Sequence, residues 1–344
     1  MKKFEGFQKG LNLGGWLSQC IEYNEEYYST FIKEENIKEI ADWGMDHVRL
    51  PIDYDVIETE DGDPIESGHK HIEDCISWCQ KYGLNIILDL HKTCGFMFDT
   101  QAVPDPDKFF TDVKLQDRFI ETWRELIKRY GKYKDFIAFE LLNEVVNPDF
   151  VKEWNAIANR AIEMIREYEK EAYIIIGGVQ HNNVLNVPLL DPPHDEYIVY
   201  NFHCYEPLCF THQHASWVEN IDYDLSYPAP IEVYKEKSIE LNQNHAGAVF
   251  SSGIKEVGPE FFEVMFKGAI EYAEKMNVPL YCGEYGCIDQ APTKDSLNWL
   301  SDINEVFSKF GIGRALWNYK EKDFGITESH YDDIRKDMIK VMTK

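Results

Sequence analysis

The sequence predicts an α/β fold: a (β/α)8 TIM barrel forming one domain over residues 1–344, with a subdomain of residues 207–259 inserted after the sixth strand. Three observations point there. Short β-branched runs alternate with longer amphipathic segments, the pattern of βα units wound around a parallel sheet. The runs Ile86-Ile87-Leu88-Asp89-Leu90 and Tyr197-Ile198-Val199-Tyr200-Asn201-Phe202 are almost continuously apolar, as strands covered on both faces must be. A chain of 344 residues is a length that one α/β barrel routinely uses.

Taken in order, the strands are expected at Gly10–Gly15, His47–Pro51, Asn85–Leu90, Ile137–Asn143, Tyr173–Gly178, Tyr197–His203, Pro279–Glu284 and Ile312–Asn318. Between them the apolar residues switch to helical spacing, as in Ile72, Cys75, Ile76, Cys79 and Tyr82, and again in Phe119, Trp123, Leu126, Ile127 and Tyr130. The sixth and seventh strands start 82 residues apart, against about 31 for an average barrel unit. The surplus defines the insertion. Loops after barrel strands lie on the C-terminal face, so the insertion is expected to wall the cleft there, with Phe210, His212, His214, Trp217, Tyr223 and Tyr227 as its aromatic complement. The competing reading is a subdomain whose aromatics pack its own core.

Composition narrows the partners. With 44% hydrophobic and 14% aromatic residues the chain can bury a sizeable core, so disorder is excluded. Sixty-one acids against 35 bases give a formal charge of −26, which repels phosphate backbones and anionic lipid; nucleic acid and membrane surfaces are not expected partners, and a neutral substrate is. A monomer is expected. No apolar run approaches membrane-spanning length, and Met1-Lys2-Lys3-Phe4-Glu5-Gly6 does not begin a signal peptide, which fits either a cytoplasmic protein or a mature secreted form. The eight cysteines contain no C-x-x-C pair and are expected as reduced thiols, with Cys75 and Cys79 as small core hydrophobes. No metal and no cofactor are expected. His69-Lys70-His71 and His212-Gln213-His214 lack carboxylates at ligand spacing, and Gly177-Gly178 lacks the rest of a phosphate loop.

If the barrel is right, its strand ends converge on one rim. Six of them end in polar or aromatic residues: Arg49-Leu50-Pro51, Asp89-Leu90-His91, Asn143-Glu144, His203-Cys204-Tyr205, Glu284 and Trp317-Asn318. Glu144 and Glu284 form the informative pair. Two facing carboxylates suggest glycoside hydrolysis, in which one protonates the leaving oxygen and the other attacks the anomeric carbon or activates water. The bland alternative is two surface acids out of 61.

The segments G-L-N-L-G-G-W at Gly10–Trp16, H-V-R-L-P at His47–Pro51, D-L-H at Asp89–His91, F-E-L-L-N-E at Phe139–Glu144, N-F-H-C-Y at Asn201–Tyr205, G-E-Y-G at Gly283–Gly286 and A-L-W-N-Y-K at Ala315–Lys320 together resemble glycoside hydrolase family 5. The resemblance runs from the first strand to the last. It is closest to small single-domain bacterial endoglucanases, which also carry a subdomain after strand six. It implies that Glu144 is the general acid/base and Glu284 the nucleophile. It further implies that Arg49 donates to Glu284, that Asn143 binds the sugar 2-hydroxyl, and that His91 and His203 bond sugar hydroxyls or neighbouring catalytic groups. Tyr205 would donate to the nucleophile, and Trp317 would floor the subsite at the scissile bond. Trp217, on the insertion, is the candidate platform for sugars farther out. The two acids need different settings, with Glu144 kept protonated by apolar or anionic surroundings and Glu284 kept ionised by donors. The activity implied is a retaining endo-β-glucanase acting on β-1,4 linkages in cellulose-like or mixed-linkage β-1,3-1,4-glucan. The alternatives are a β-mannanase or β-1,3-glucanase of the same family, or a noncatalytic carbohydrate-binding barrel.

Overall fold

In the computed structural model, which describes residues 1–99, 102–241, 247–250 and 252–344, eight parallel strands close on themselves. They are β1 (Gly10–Asn12), β2 (His47–Asp53), β3 (Asn85–Thr93), β4 (Ile137–Glu140), β5 (Ile174–Gly177), β6 (Ile198–Cys204), β7 (Leu280–Tyr285) and β8 (Gly313–Leu316). Each pairs with the next, and β8 returns to β1 through Gly10 opposite Ala315. A two-residue strand, Phe96–Met97, folds back antiparallel on the end of β3. Closure leaves no barrel strand with a free edge.

Several strands end earlier than their apolar runs. β1 stops at Asn12, β4 at Glu140 and β8 at Leu316, so Gly14, Asn143, Glu144, Trp317 and Asn318 lie just past the ladders. The backbone there stays anchored: Leu141 N–H donates to Ile175 O at 3.1 Å and Asn143 N–H to Leu90 O at 3.0 Å. Helix periodicity held closely. Ile72, Cys75, Ile76 and Cys79 are buried on the helix Glu66–Tyr82, and Phe119, Trp123, Leu126, Ile127 and Tyr130 on the helix Val113–Tyr130.

The barrel interior is layered by the two-residue period of its strands. At the lower end Phe4 stacks on Phe7 at 4.2 Å and closes the bottom. Above them lie Ile87, Ala138, Ile175, Val199, Tyr281 and Ala315. Two residues farther along β3, β4 and β6 stand Asp89, Glu140 and Asn201, with Asn12 and Arg49 beside them, all fully buried. The pattern that packs the barrel thus also delivers a polar layer under the C-terminal rim.

Between β6 and the helix Pro259–Met276 the described residues form three short helices, Leu208–Thr211, Ile231–Glu240 and Gly247–Phe250. Residues 242–246 and 251 of this segment lie outside the described residues. Two of its expected wall aromatics are corrected here. Phe210 and Tyr227 are buried against each other at 5.3 Å, and Tyr227 OH donates to Asp302 at 2.7 Å, so they hold the segment to the barrel instead of lining a cleft. All eight cysteines are unpaired thiols; Cys20 and Cys94 are half-buried and the others buried.

Candidate active site

Arg49 organises the rim from below. Its guanidinium lies 3.0 Å from Asp89 Oδ2, donates from Nε and Nη2 to both oxygens of Glu140 at 2.7 and 2.9 Å, and donates from Nη1 to Glu284 Oε1 at 2.8 Å. It also reaches Asn12 Oδ1 and Asn143 Oδ1, each at 3.0 Å. A planar fork with five N–H donors can serve this many acceptors; an ammonium cannot. Arg49 is wholly buried, so it acts from beneath: it holds carboxylates, Glu284 among them, and orients Asn143.

Glu284 is met from two sides. Arg49 takes Oε1, and Tyr205 OH donates to Oε2 at 2.9 Å. Burial, followed by the charges of Glu284 and Glu144, pushes the Tyr205 phenol well above its ordinary pKa, so it stays a neutral donor.

Glu144 stands opposite, an oxygen of each carboxylate and His203 Nδ1 lying within 4.8 Å of one another. His203 Nδ1 lies 2.7 Å from Glu144 Oε1, and His181 Nδ1 lies 3.1 Å from Oε2. The Nε2 of His203 faces Asn182 Nδ2 at 3.4 Å, which leaves Nδ1 to carry the proton and donate to Glu144. Burial alone would raise the Glu144 pKa, but the two imidazoles outweigh it and hold the carboxyl well below the usual range. The apolar or anionic setting expected for this acid is therefore not what surrounds it. Two histidines from different strand-end segments do, and they favour its ionised form.

His91 and Trp317 form a floor. Their rings are parallel within 9° at 5.9 Å, and Phe98 meets the His91 edge at 5.3 Å. Both ring nitrogens of His91 are engaged, Nδ1 with Asp89 Oδ2 at 2.7 Å and Nε2 with Gln19 Nε2 at 2.9 Å. A sugar hydroxyl would have to replace Gln19 to reach it. Trp317 lies against the backbone at Gly14, where a Cβ would come 2.4 Å from the indole. Asn318 fixes that approach, accepting from Gly14 N–H and donating to Gly14 O, both at 2.9 Å.

Trp217 stands apart from this cluster, 55% exposed and edge-on to His212 at 6.2 Å. His212 packs in turn against Tyr205 at 5.1 Å and Phe324 at 5.3 Å, which links the exposed indole to the rim. The other histidine pairs divide among unrelated partners: His69 bonds Tyr130, His71 bonds Glu25, and His214 bridges Asp222 and Asp224. Among the described residues, Glu144, His203 and Glu284 are spaced closely enough to surround a cation. Their atoms already satisfy one another and Arg49 and Tyr205, so the set reads as a proton-transfer cluster.

Three contributors were missed in the sequence. Glu140 carries the main ion pair to Arg49 and also accepts from Asn201 Nδ2 at 2.8 Å; its position two residues after the inward Ala138 was the available signal. Gln19 and His181 sit on loops, where no periodicity marks them.

A family model described as Cellulase (glycosyl hydrolase family 5) matches residues 8–323. Cellodextrinase A of Ruminococcus flavefaciens is 45% identical over 315 residues, covering 91% of this chain and 86% of its own length. Endoglucanase C of Acetivibrio thermocellus is 37% identical over 343 residues, 98% of each chain. The solved structure of endoglucanase Cel5A from Thermotoga maritima shares the fold with a TM-score of 0.74, at 23% identity over 98% of this chain and 97% of that one. At this identity and coverage the chain belongs to glycosyl hydrolase family 5, and it is a glycoside hydrolase.

Proposed function

We propose that this enzyme is a retaining endo-β-glucanase that hydrolyses β-1,4 linkages in cellulose-like or mixed-linkage β-1,3-1,4-glucan by double displacement. The observation that carries the reading is the closeness of Glu144 and Glu284, whose oxygens approach within 4.8 Å. A retaining pair stands about 5–5.5 Å apart, whereas an inverting pair needs about 6.5–9.5 Å to admit water. The names of the two relatives, a cellodextrinase and an endoglucanase, support a β-glucan substrate.

In the first displacement a Glu284 oxygen bonds to the anomeric carbon while Glu144 gives a proton to the departing glycosidic oxygen. Arg49 and Tyr205 keep Glu284 ionised and aimed. Asn143, with its Oδ1 committed to Arg49, has its N–H2 left to donate to the 2-hydroxyl, a bond that strengthens in the transition state. Trp317 supports the sugar at the cleavage point through its ring face. Water then attacks the glycosyl-enzyme with Glu144 as base.

A panel of barley glucan, carboxymethyl cellulose, mannan, laminarin and xylan, with product sizing, tests the reading. Rapid loss of chain length on the first two supports it. Preferred hydrolysis of mannan or laminarin, or release of single units only, would overturn the stated substrate or the endo action.

A further inference from the structure

His181 lies outside every motif that identified the family, yet its place is fixed. Its N–H donates to Val145 O at 3.0 Å, and Val145 pairs with Val179 in a parallel bridge, so its loop is tied to the residue following Glu144. Gln180, His181 and Asn182 are three successive non-glycine residues with left-handed backbone, φ 59°, 55° and 53°. Such a run persists only where its surroundings over-determine it. Asn182 supplies part of that determination: it is wedged beneath the loop, where a Cβ on Gly177 would come 2.1 Å from its Oδ1. The outcome is an imidazole 3.1 Å from Glu144 whose side chain is 42% exposed, while the other imidazole on Glu144, His203, is buried.

Resting on the reading of Glu144 as acid/base, we propose that His181 is a positioning residue that holds the proton it shares with Glu144 in the free enzyme and returns it to Glu144 when sugar fills the site. The proton balance closes over one turnover. His181 passes its Nδ1 proton to Glu144 Oε2. Glu144 gives that proton to the glycosidic oxygen as the C1–O bond breaks and the bond from Glu284 to C1 forms. In the second displacement Glu144 takes a proton from the attacking water, Glu284 leaves C1 as a carboxylate, and His181 recovers its proton from Glu144. Burial would lower the His181 pKa, but the hydrogen bond and charge of Glu144 raise it above the ordinary histidine value, which suits a proton reservoir.

Other titratable groups face Glu144. His203 comes from β6, Tyr205 and Glu206 follow its end, His212 comes from the segment beyond, and Glu284 from β7. Burial lowers His212 to about 4, so it is neutral in the working range. Burial pushes Glu206 up to about 7, so it titrates inside that range. The test must therefore compare substrates that differ only in their need for an acid.

The experiment measures the pH dependence of kcat/KM for His181→Asn on two aryl cellobiosides, one with a poor and one with a good leaving group. Asparagine tolerates the left-handed backbone, and the melting temperature reports folding. On the poor leaving group the basic limb should move down by about one pH unit or more, because Glu144 alone then has to hold the proton that the pair keeps up to the raised His181 pKa. On the good leaving group the profile should match that of the wild type. A basic limb that stays in place or moves up, or that moves equally on both substrates, overturns the proposal. Should His181→Asn lose its melting transition, nitrogen-15 shifts of the wild-type ring decide. An imidazolium at about pH 6 supports the proposal and a neutral ring sinks it. Glu144→Gln separates the two levels. If it still turns over the poor-leaving-group substrate, the acid/base reading fails; if it is inactive there while the His181→Asn limb is unmoved, only this inference fails.

Discussion

Arg49→Met would remove the cation around which the polar layer is built while keeping much of its volume. Glu140 would lose two hydrogen bonds and Asp89 its ion pair, both fully buried, leaving Glu140 with Asn201 and Asp89 with His91. Removing one partner of a buried pair costs about 3–5 kcal/mol, because the other charge stays buried. Unfolding entropy of about 2.1 cal/mol/K per residue gives roughly 0.7 kcal/mol/K for a chain of this length, so the melting temperature should fall by about 4–7 °C. The loss should depend on pH. Burial raises the Glu140 pKa, and Arg49 opposes that rise; without Arg49 the folded-state pKa climbs further above the unfolded value. A folded state that binds the extra proton loses stability as pH rises through the interval between those two values. The deficit relative to wild type should therefore be greatest above the variant's folded-state Glu140 pKa and shrink on acidification. Differential scanning calorimetry across a pH series measures this. A change under about 2 °C, or a deficit that grows on acidification, would refute the account of Arg49 as the charge holding this layer together.

Glu284→Gln should abolish turnover and Glu144→Gln nearly so, with both variants folded and still binding oligosaccharide in calorimetric titration; an activated leaving group should partly rescue the first step in Glu144→Gln. Near-wild-type glucan hydrolysis by either would sink the assignment. Proton NMR of the first-formed product should show the β-anomer, as the proposed double displacement requires, and an initial α-anomer signal would contradict that. Trp217→Ala should lower kcat/KM on long glucans by about tenfold, equivalent to about 1.4 kcal/mol, and much less on a short activated glycoside. Its melting temperature should hold, because the indole is exposed. Equal losses on both substrates with a large drop in melting temperature would show a packing role instead.

The barrel was legible in the sequence because its signals are local and repeated. Continuous apolar runs such as Ile86–Leu90 mark strands covered on both faces, and helical spacing such as Phe119 to Tyr130 marks the returns. Strand ends were less legible, since Leu141 and Leu142 extend an apolar run past the last ladder pair of β4. Glu144, Glu284, Arg49, Asn143, His203, Tyr205 and Trp317 were identified because barrel topology carries strand ends to one rim. Tertiary structure alone decided what each one touches. Arg49 faces three carboxylates drawn from β3, β4 and β7, and no spacing along one strand encodes that meeting. Phe210 and Trp217 are both aromatic and seven residues apart, yet one is core and the other exposed. Composition does not distinguish them, because burial depends on what the barrel places beneath each. His181 reaches Glu144 only through three left-handed residues and a bridge between segments more than thirty residues apart. Sequence sets the period that brings side chains to the rim; closure of the barrel sets which of them share a proton.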